Sequence, residues 1–248
     1  MGKELEDKLT TVTLEELLPT YYKVWLYKLR GSPPPIPAIE IFAAQWAIET
    51  WWGKSCHCWN LGNAKATVGG SYDFTFFKCG EELSATTAKN AAKSSPLVTI
   101  KREYVSGGRA MASVMITPKH PWCCFRAFEE LVDGAADHLE LLHRRFPDAF
   151  TSALQGDARA FSTSLKRAGY YTAPVDQYTK GILGCLPRVQ AASKKIDWDS
   201  LPKMNDWEVK RVEGLISITA SLAEEDWAAM IRERDLAVTE EEVVDLGT

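Results

Sequence analysis

The chain is 248 residues long, enough to bury one sizeable core and a small appendage. With 46% hydrophobic and 25% charged residues it has the balance of an ordinary globular protein, and no apolar run approaches the roughly 20 residues that would let a helix cross a membrane. A net charge of −4 without a dense basic stripe excludes nucleic acid as the expected partner. Charge is unevenly placed: residues 36–190 carry 17 basic and 14 acidic side chains, residues 191–248 carry 7 and 14. An acidic tail on a mildly basic body predicts a separate element that docks on the body or on a protein partner.

Residues 1–8 are charged where a signal peptide is basic and then apolar, so no signal peptide and a cytoplasmic site of synthesis are expected. The six cysteines are accordingly read as reduced thiols. Cys56-His57-Cys58 and Cys123-Cys124 have one-apart and adjacent spacings, whereas paired zinc ligands sit about two to four residues apart. No metal and no other cofactor is expected.

In chain order, residues 14–29 have apolar positions at helical spacing and run into Gly31-Ser32-Pro33-Pro34-Pro35, so residues 1–35 read as a helical extension with a stiff linker. Residues 38–52 are helical in period and apolar around most of the circumference, which predicts a buried central helix stopped by Gly53. Residues 67–110 change to short alternating segments, a small β-rich lobe. Within it residues 97–116 predict a β-hairpin turning at Ser106-Gly107-Gly108, with Glu103 sharing a face with Thr99 and Lys101. Helices are expected over residues 125–146 and 157–168, the second capped by Asp157, then a loop over 169–174 and a last core helix over 176–189. Beyond Lys195 the chain turns acidic and helical, with Trp198, Trp207 and Trp227 spaced through it. The expected fold is α+β and mainly α: a helical body over 36–190 with a small β-hairpin lobe, a helical extension over 1–35 and an acidic helical tail over 191–248.

Ala47-Ile48-Glu49-Thr50-Trp51-Trp52-Gly53 places a carboxylate in an almost wholly apolar helix, with Trp46 three residues before it and Trp52 three after. Residues three apart share a helix face. Indoles above and below would disfavour the charged form and raise the pKa, as a general acid for glycosidic cleavage requires. The alternative is that both tryptophans are core and Glu49 simply points to solvent.

The stretch from Ala47 to Ser55 resembles the catalytic-helix motif Ala-x-Glu-Ser-x-Trp-Gly-x-Ser of the glucosaminidase family of peptidoglycan hydrolases, which includes the flagellar rod-cap muramidase and many autolysins. Asn60-Leu61-Gly62-Asn63-Ala64-Lys65 resembles the family's Asn-Leu-Phe-Gly-Ile-Lys and the related Asn-x-Gly-Asn-Ile-Lys, with Gly62 in place of Phe. Arg102-Glu103-Tyr104 resembles Gln-Glu-Tyr, Phe125-Arg126-Ala127-Phe128 resembles Phe-Arg-x-Tyr, and the segment from Ala168 to Pro174 with Tyr178 resembles Ala-Gly-Tyr-Ala-Thr-Asp-Pro followed by Tyr-Ala. The resemblance spans roughly residues 36–190. It implies a lysozyme-like fold that binds glycan strands in a groove and hydrolyses the N-acetylglucosaminyl to N-acetylmuramic acid linkage. By the same match Glu49 would be the acid, Glu103 the second carboxylate and Tyr170 a groove residue at the scissile bond.

Expected substrate-binding residues are Trp52, Asn60, Asn63, Lys65, Tyr104, Tyr171 and Tyr178. For several, a bland alternative stands: Glu103 as a solvated edge charge paired with Lys101, Asn60 and Asn63 as turn formers, one of Tyr170 and Tyr171 as core. His138 and His143 are expected on helix surfaces. The same fold could serve a muramidase or lytic transglycosylase, or a wall-binding or virion module without turnover. Delivery to the wall is expected through a phage holin, a phage particle or a dedicated secretion route.

Overall fold

A computed structural model of the chain describes residues 1–29, 33–171 and 173–201 and the single positions Lys210 and Glu213. Gly31 and Ser32 of the linker, and the acidic tail from residue 202 with Trp207 and Trp227, lie outside the described residues except for Lys210 and Glu213. The described chain is α+β and mainly helical, with seven α-helices and two small sheets. None of these helices is long and apolar enough to cross a membrane. Chain contacts divide it into two units, Phe77–Cys123 and the residues on either side of that segment.

The larger unit begins with α1 (Leu14–Val24), which Thr13 and Glu16 open with a reciprocal capping box. The helix continues as a short π-helix, Trp25–Leu29. Far from being an appendage, this extension packs on the helical body: Leu17, Leu18 and Tyr21 are fully buried, and the Trp25 indole stacks on Phe42 and Phe150. Each such side chain contributes about 1.5–3 kcal/mol by leaving water. Helix α2 (Ile36–Glu49) is buried on every side from Ala38 to Ala47, as its apolar circumference predicts.

Against it pack α1, α5 (Pro147–Leu154) and α7 (Val175–Ser193), with α4 (Leu131–Arg145) on α1 and α5, and α6 (Ala158–Arg167) on α5 and α7. Asp157 caps α6 through Arg159 and Ala160, as expected. The helix expected from residue 125 instead starts at Leu131. Residues before it form β5 (Cys124–Arg126), antiparallel to β1 (Phe74–Phe76). Helix α4 passes so close to Trp59 that a Cβ on Gly134 would lie 1.9 Å from the Trp59 carbonyl oxygen. Only glycine permits that approach.

The smaller unit, Phe77–Cys123, holds β2 (Cys79–Ser84), α3 (Ala85–Ser94), β3 (Val98–Ser106) and β4 (Arg109–Ile116), with strand order β2-β4-β3. The hairpin turns at Gly107-Gly108 as predicted. Helix α3 is not foreseen by the β-rich reading; Ser84 caps it through the Thr87 amide. A β-bulge at Lys101 inverts the expected alternation of β3. Glu103 opposes Ala112 just as Ile100 opposes Val114 and Val98 opposes Ile116, so it shares the face of Val98 and Ile100 rather than that of Thr99.

Candidate active site

Helix α2 ends at Glu49, three residues earlier than its pattern suggests. Thr50 stops it: fully buried, its hydroxyl donates to the Trp46 carbonyl and accepts from the Gly53 amide. Trp51, Trp52 and Gly53 then follow in the left-handed region. Every described non-glycine residue with positive φ, namely Trp51, Trp52, Cys58, Trp59 and Asn63, falls within these 13 residues after the helix. At about 1–2 kcal/mol each, this strain is held by the surrounding bonds and marks the segment as built for more than connection.

The indoles do not sandwich the acid as expected. Trp46 is core and meets Trp52 edge-on at 6.3 Å, while the Arg188 guanidinium lies 4.1 Å over the Trp52 ring. The indole open to solvent is Trp51, 66% exposed, with the Lys54 ammonium over its ring. Sequence reasoning missed it because the resemblance leaves its position variable.

What meets the Glu49 carboxyl is α7. The Tyr178 hydroxyl donates to Glu49 Oε1 at 2.8 Å. Burial raises the Glu49 pKa to about 7, against the opposing pull of the Tyr178 bond. Glu49 keeps partial solvent contact, so the acid is enclosed without being sealed. Gln45, on the same helix face and fully buried, lies beside the Tyr178 hydroxyl. Tyr171 stacks on Tyr178 with ring centroids 3.8 Å apart, and its hydroxyl donates to the Ser162 carbonyl. Tyr170 packs edge-on against Phe146 and donates to the Gly62 carbonyl. Both tyrosines are half-buried, so neither is the core residue expected of one of them. The Tyr170 hydroxyl is held protonated by burial and then by the Glu49 charge.

No protein-family model, curated protein or solved structure matches this chain. Asn60 is 1% exposed and its amide is occupied at both ends, donating to the Ala64 and Arg126 carbonyls and accepting from the Ala64 amide. That is the turn-forming role rather than a glycan contact. Asn63 donates to the Glu49 carbonyl oxygen and so ties the strained turn to the acid's own backbone. Lys65 holds its ammonium 3.9 Å over the Phe125 ring.

His138, expected on a surface, is buried on α4 and shares a 2.6 Å hydrogen bond with the Tyr21 hydroxyl. Burial lowers its pKa to about 3, so the imidazole is neutral. Gly62, where the family resemblance would place Phe, has its reason here: a Cβ would meet His138 Cδ2 at 3.0 Å and the Tyr170 hydroxyl at 3.3 Å. His143 is half-buried against Phe150. Among the described residues no three His, Cys, Asp or Glu side chains converge on a metal position; His57 pairs with Asp7.

Glu103 and Tyr104 belong to the smaller unit. Glu103 is half-exposed and pairs with Lys89 of α3 at 3.0 Å, a partner its hairpin alone does not reveal. The Tyr104 hydroxyl donates to the Glu82 carboxylate of β2 across the intervening β4, and the Arg102 guanidinium lies over its ring.

Proposed function

We propose that this chain cleaves the glycan strands of bacterial peptidoglycan, as an endo-β-N-acetylglucosaminidase of lysozyme-like type with Glu49 as its general acid. The observation that carries the reading is the Glu49 carboxyl itself: partly accessible, raised to about 7, and gripped at one oxygen by Tyr178. A carboxyl half-protonated near neutral pH can give its proton to a glycosidic oxygen. The Tyr178 hydrogen bond favours the charged form, so it strengthens as the proton leaves and stabilises the transition state more than the ground state. Trp51 offers an open indole on which a sugar ring can stack, two residues from the acid. The oxocarbenium-like state is stabilised by the acetamido group of the substrate. No cofactor enters this chemistry.

A second reading keeps the same acid. The Glu49 carboxyl with Tyr178 as its partner serves equally a muramidase or a lytic transglycosylase, in which one acid acts with the substrate acetamido group. Digestion of purified peptidoglycan followed by mass spectrometry separates them. A reducing N-acetylglucosamine end supports the first reading; a reducing muramic acid end or an anhydro end replaces it. Wall clearing absent from wild type makes the chain a wall-binding or virion module, and clearing equal in wild type and Glu49→Gln removes Glu49 as the acid. Access to the wall would come through a phage holin, a phage particle or a dedicated secretion route.

A further inference from the structure

Two thiols outside the Glu49 site stand apart from the other four cysteines. Cys79, the first residue of β2, and Cys123, in the turn before β5, hold their sulfur atoms 3.5 Å apart. Their backbones are fixed beside each other: the Phe77 amide donates to the Cys123 carbonyl, and the Cys79 thiol also reaches the Trp122 carbonyl at 3.6 Å. A bond length of about 2 Å between the sulfurs then requires rotation of side chains and little backbone movement. Cys79 is partly exposed and Cys123 is fully buried, so an oxidant reaches the pair through Cys79.

We propose that Cys79 and Cys123 form a reversible disulfide that staples the smaller unit at its two ends. With glutathione disulfide as oxidant, the Cys79 thiolate attacks one sulfur, forming a Cys79–glutathione bond and releasing one glutathione thiolate, which takes up a proton. The Cys123 thiol then loses its proton to solvent and attacks the Cys79 sulfur, displacing the second glutathione. Two protein thiols lose two electrons, and one glutathione disulfide becomes two glutathiones. The ring closed joins residues 44 apart in sequence and contains β2, α3, β3 and β4. Restricting so long a loop in the unfolded chain favours the folded unit. The same chain would thus be looser in a reducing compartment and braced in an oxidising one, whichever glycan reaction it performs.

The full chain is incubated with glutathione at graded ratios of reduced to oxidised form and digested without reduction for peptide mapping. The expected result is one linked peptide pair, Cys79 with Cys123, two fewer titratable thiols per chain, and reversal by dithiothreitol. Cys123→Ser should stop at the mixed disulfide on Cys79, and Cys79→Ser should form neither product. Oxidised wild type should unfold roughly 5 °C or more above reduced wild type. Recovery of both cysteines unlinked from fully oxidising glutathione would overturn the proposal. So would a dominant bond to another cysteine or to a second chain. Should either serine variant fail to fold, the wild-type map decides alone.

Discussion

At Glu49 stability and chemistry pull in opposite directions. Its pKa rises from 4.5 in the ordinary range to about 7 in the folded chain, so the folded state holds the proton more tightly than the unfolded state. This favours folding fully below pH 4.5 and is lost as pH rises through 7, a difference of roughly 3 kcal/mol. Glu49→Gln, neutral throughout, should therefore gain stability relative to wild type between pH 4.5 and 7 and keep that gain at pH 8; denaturant midpoints across this range test it, and a constant gap would refute it. The same variant should lose about 10²- to 10⁴-fold in glycan cleavage. Wild-type activity should fall as pH climbs past 7. Tyr178→Phe removes the bond that holds the pKa down, so the alkaline limb of its pH–rate profile should move upward; an unchanged limb would detach Tyr178 from the acid. Trp51→Gly relieves a left-handed φ of 49° and should be as stable as wild type or up to about 1 kcal/mol more so, while its KM for soluble glycan rises. An unchanged KM would remove Trp51 from the substrate path.

Among the elements, β5 and α4 show how a motif can be right in composition and misplaced in structure. Phe125-Arg126 continues into apolar residues and reads as helix, yet Arg126 sits on a three-residue strand and donates to Asp137 of α4 at 2.6 Å. Tyr72 lies on the open face of that guanidinium. Burial raises the Asp137 pKa while the Arg126 charge opposes it, so the pair is compensated rather than strongly stabilising. Arg126→Leu should cost about 3–5 kcal/mol by leaving a buried carboxylate without its cation, and Arg126→Leu with Asp137→Leu should recover much of it. Equal loss in the single and double variants, read from urea unfolding, would contradict this account. The bulge at Lys101 carries the same lesson, since one extra residue moves Glu103 to the face beside α3 and Lys89, which strict alternation forbids.

For the whole molecule, the boundary expected near residue 190 falls inside α7, which runs to Ser193 and buries Ala192 and Ser193. Beyond it Trp198 packs against Tyr22 of α1 at 5.2 Å. A chain shortened after Leu201 should fold and cleave soluble glycan fragments like the full chain. One shortened after Gln190 should lose about 1–2 kcal/mol in stability. Indistinguishable melting of the two would show that this end contributes nothing to the body.

The mainly helical class, the buried central helix, the hairpin and the candidacy of Glu49 are legible along the chain, because these rest on periodicity and on a lone acid among apolar neighbours. Turn chemistry is equally local, so Asp157, Gly107 and Gly108 were readable too. It takes the folded contacts to show that α7 rather than the flanking indoles grips the acid, that Asn60 serves the turn, that His138 is buried neutral and that residues 14–29 belong to the body. Each depends on a partner dozens of residues away, and spacing along the chain carries no signal of which distant side chain will arrive.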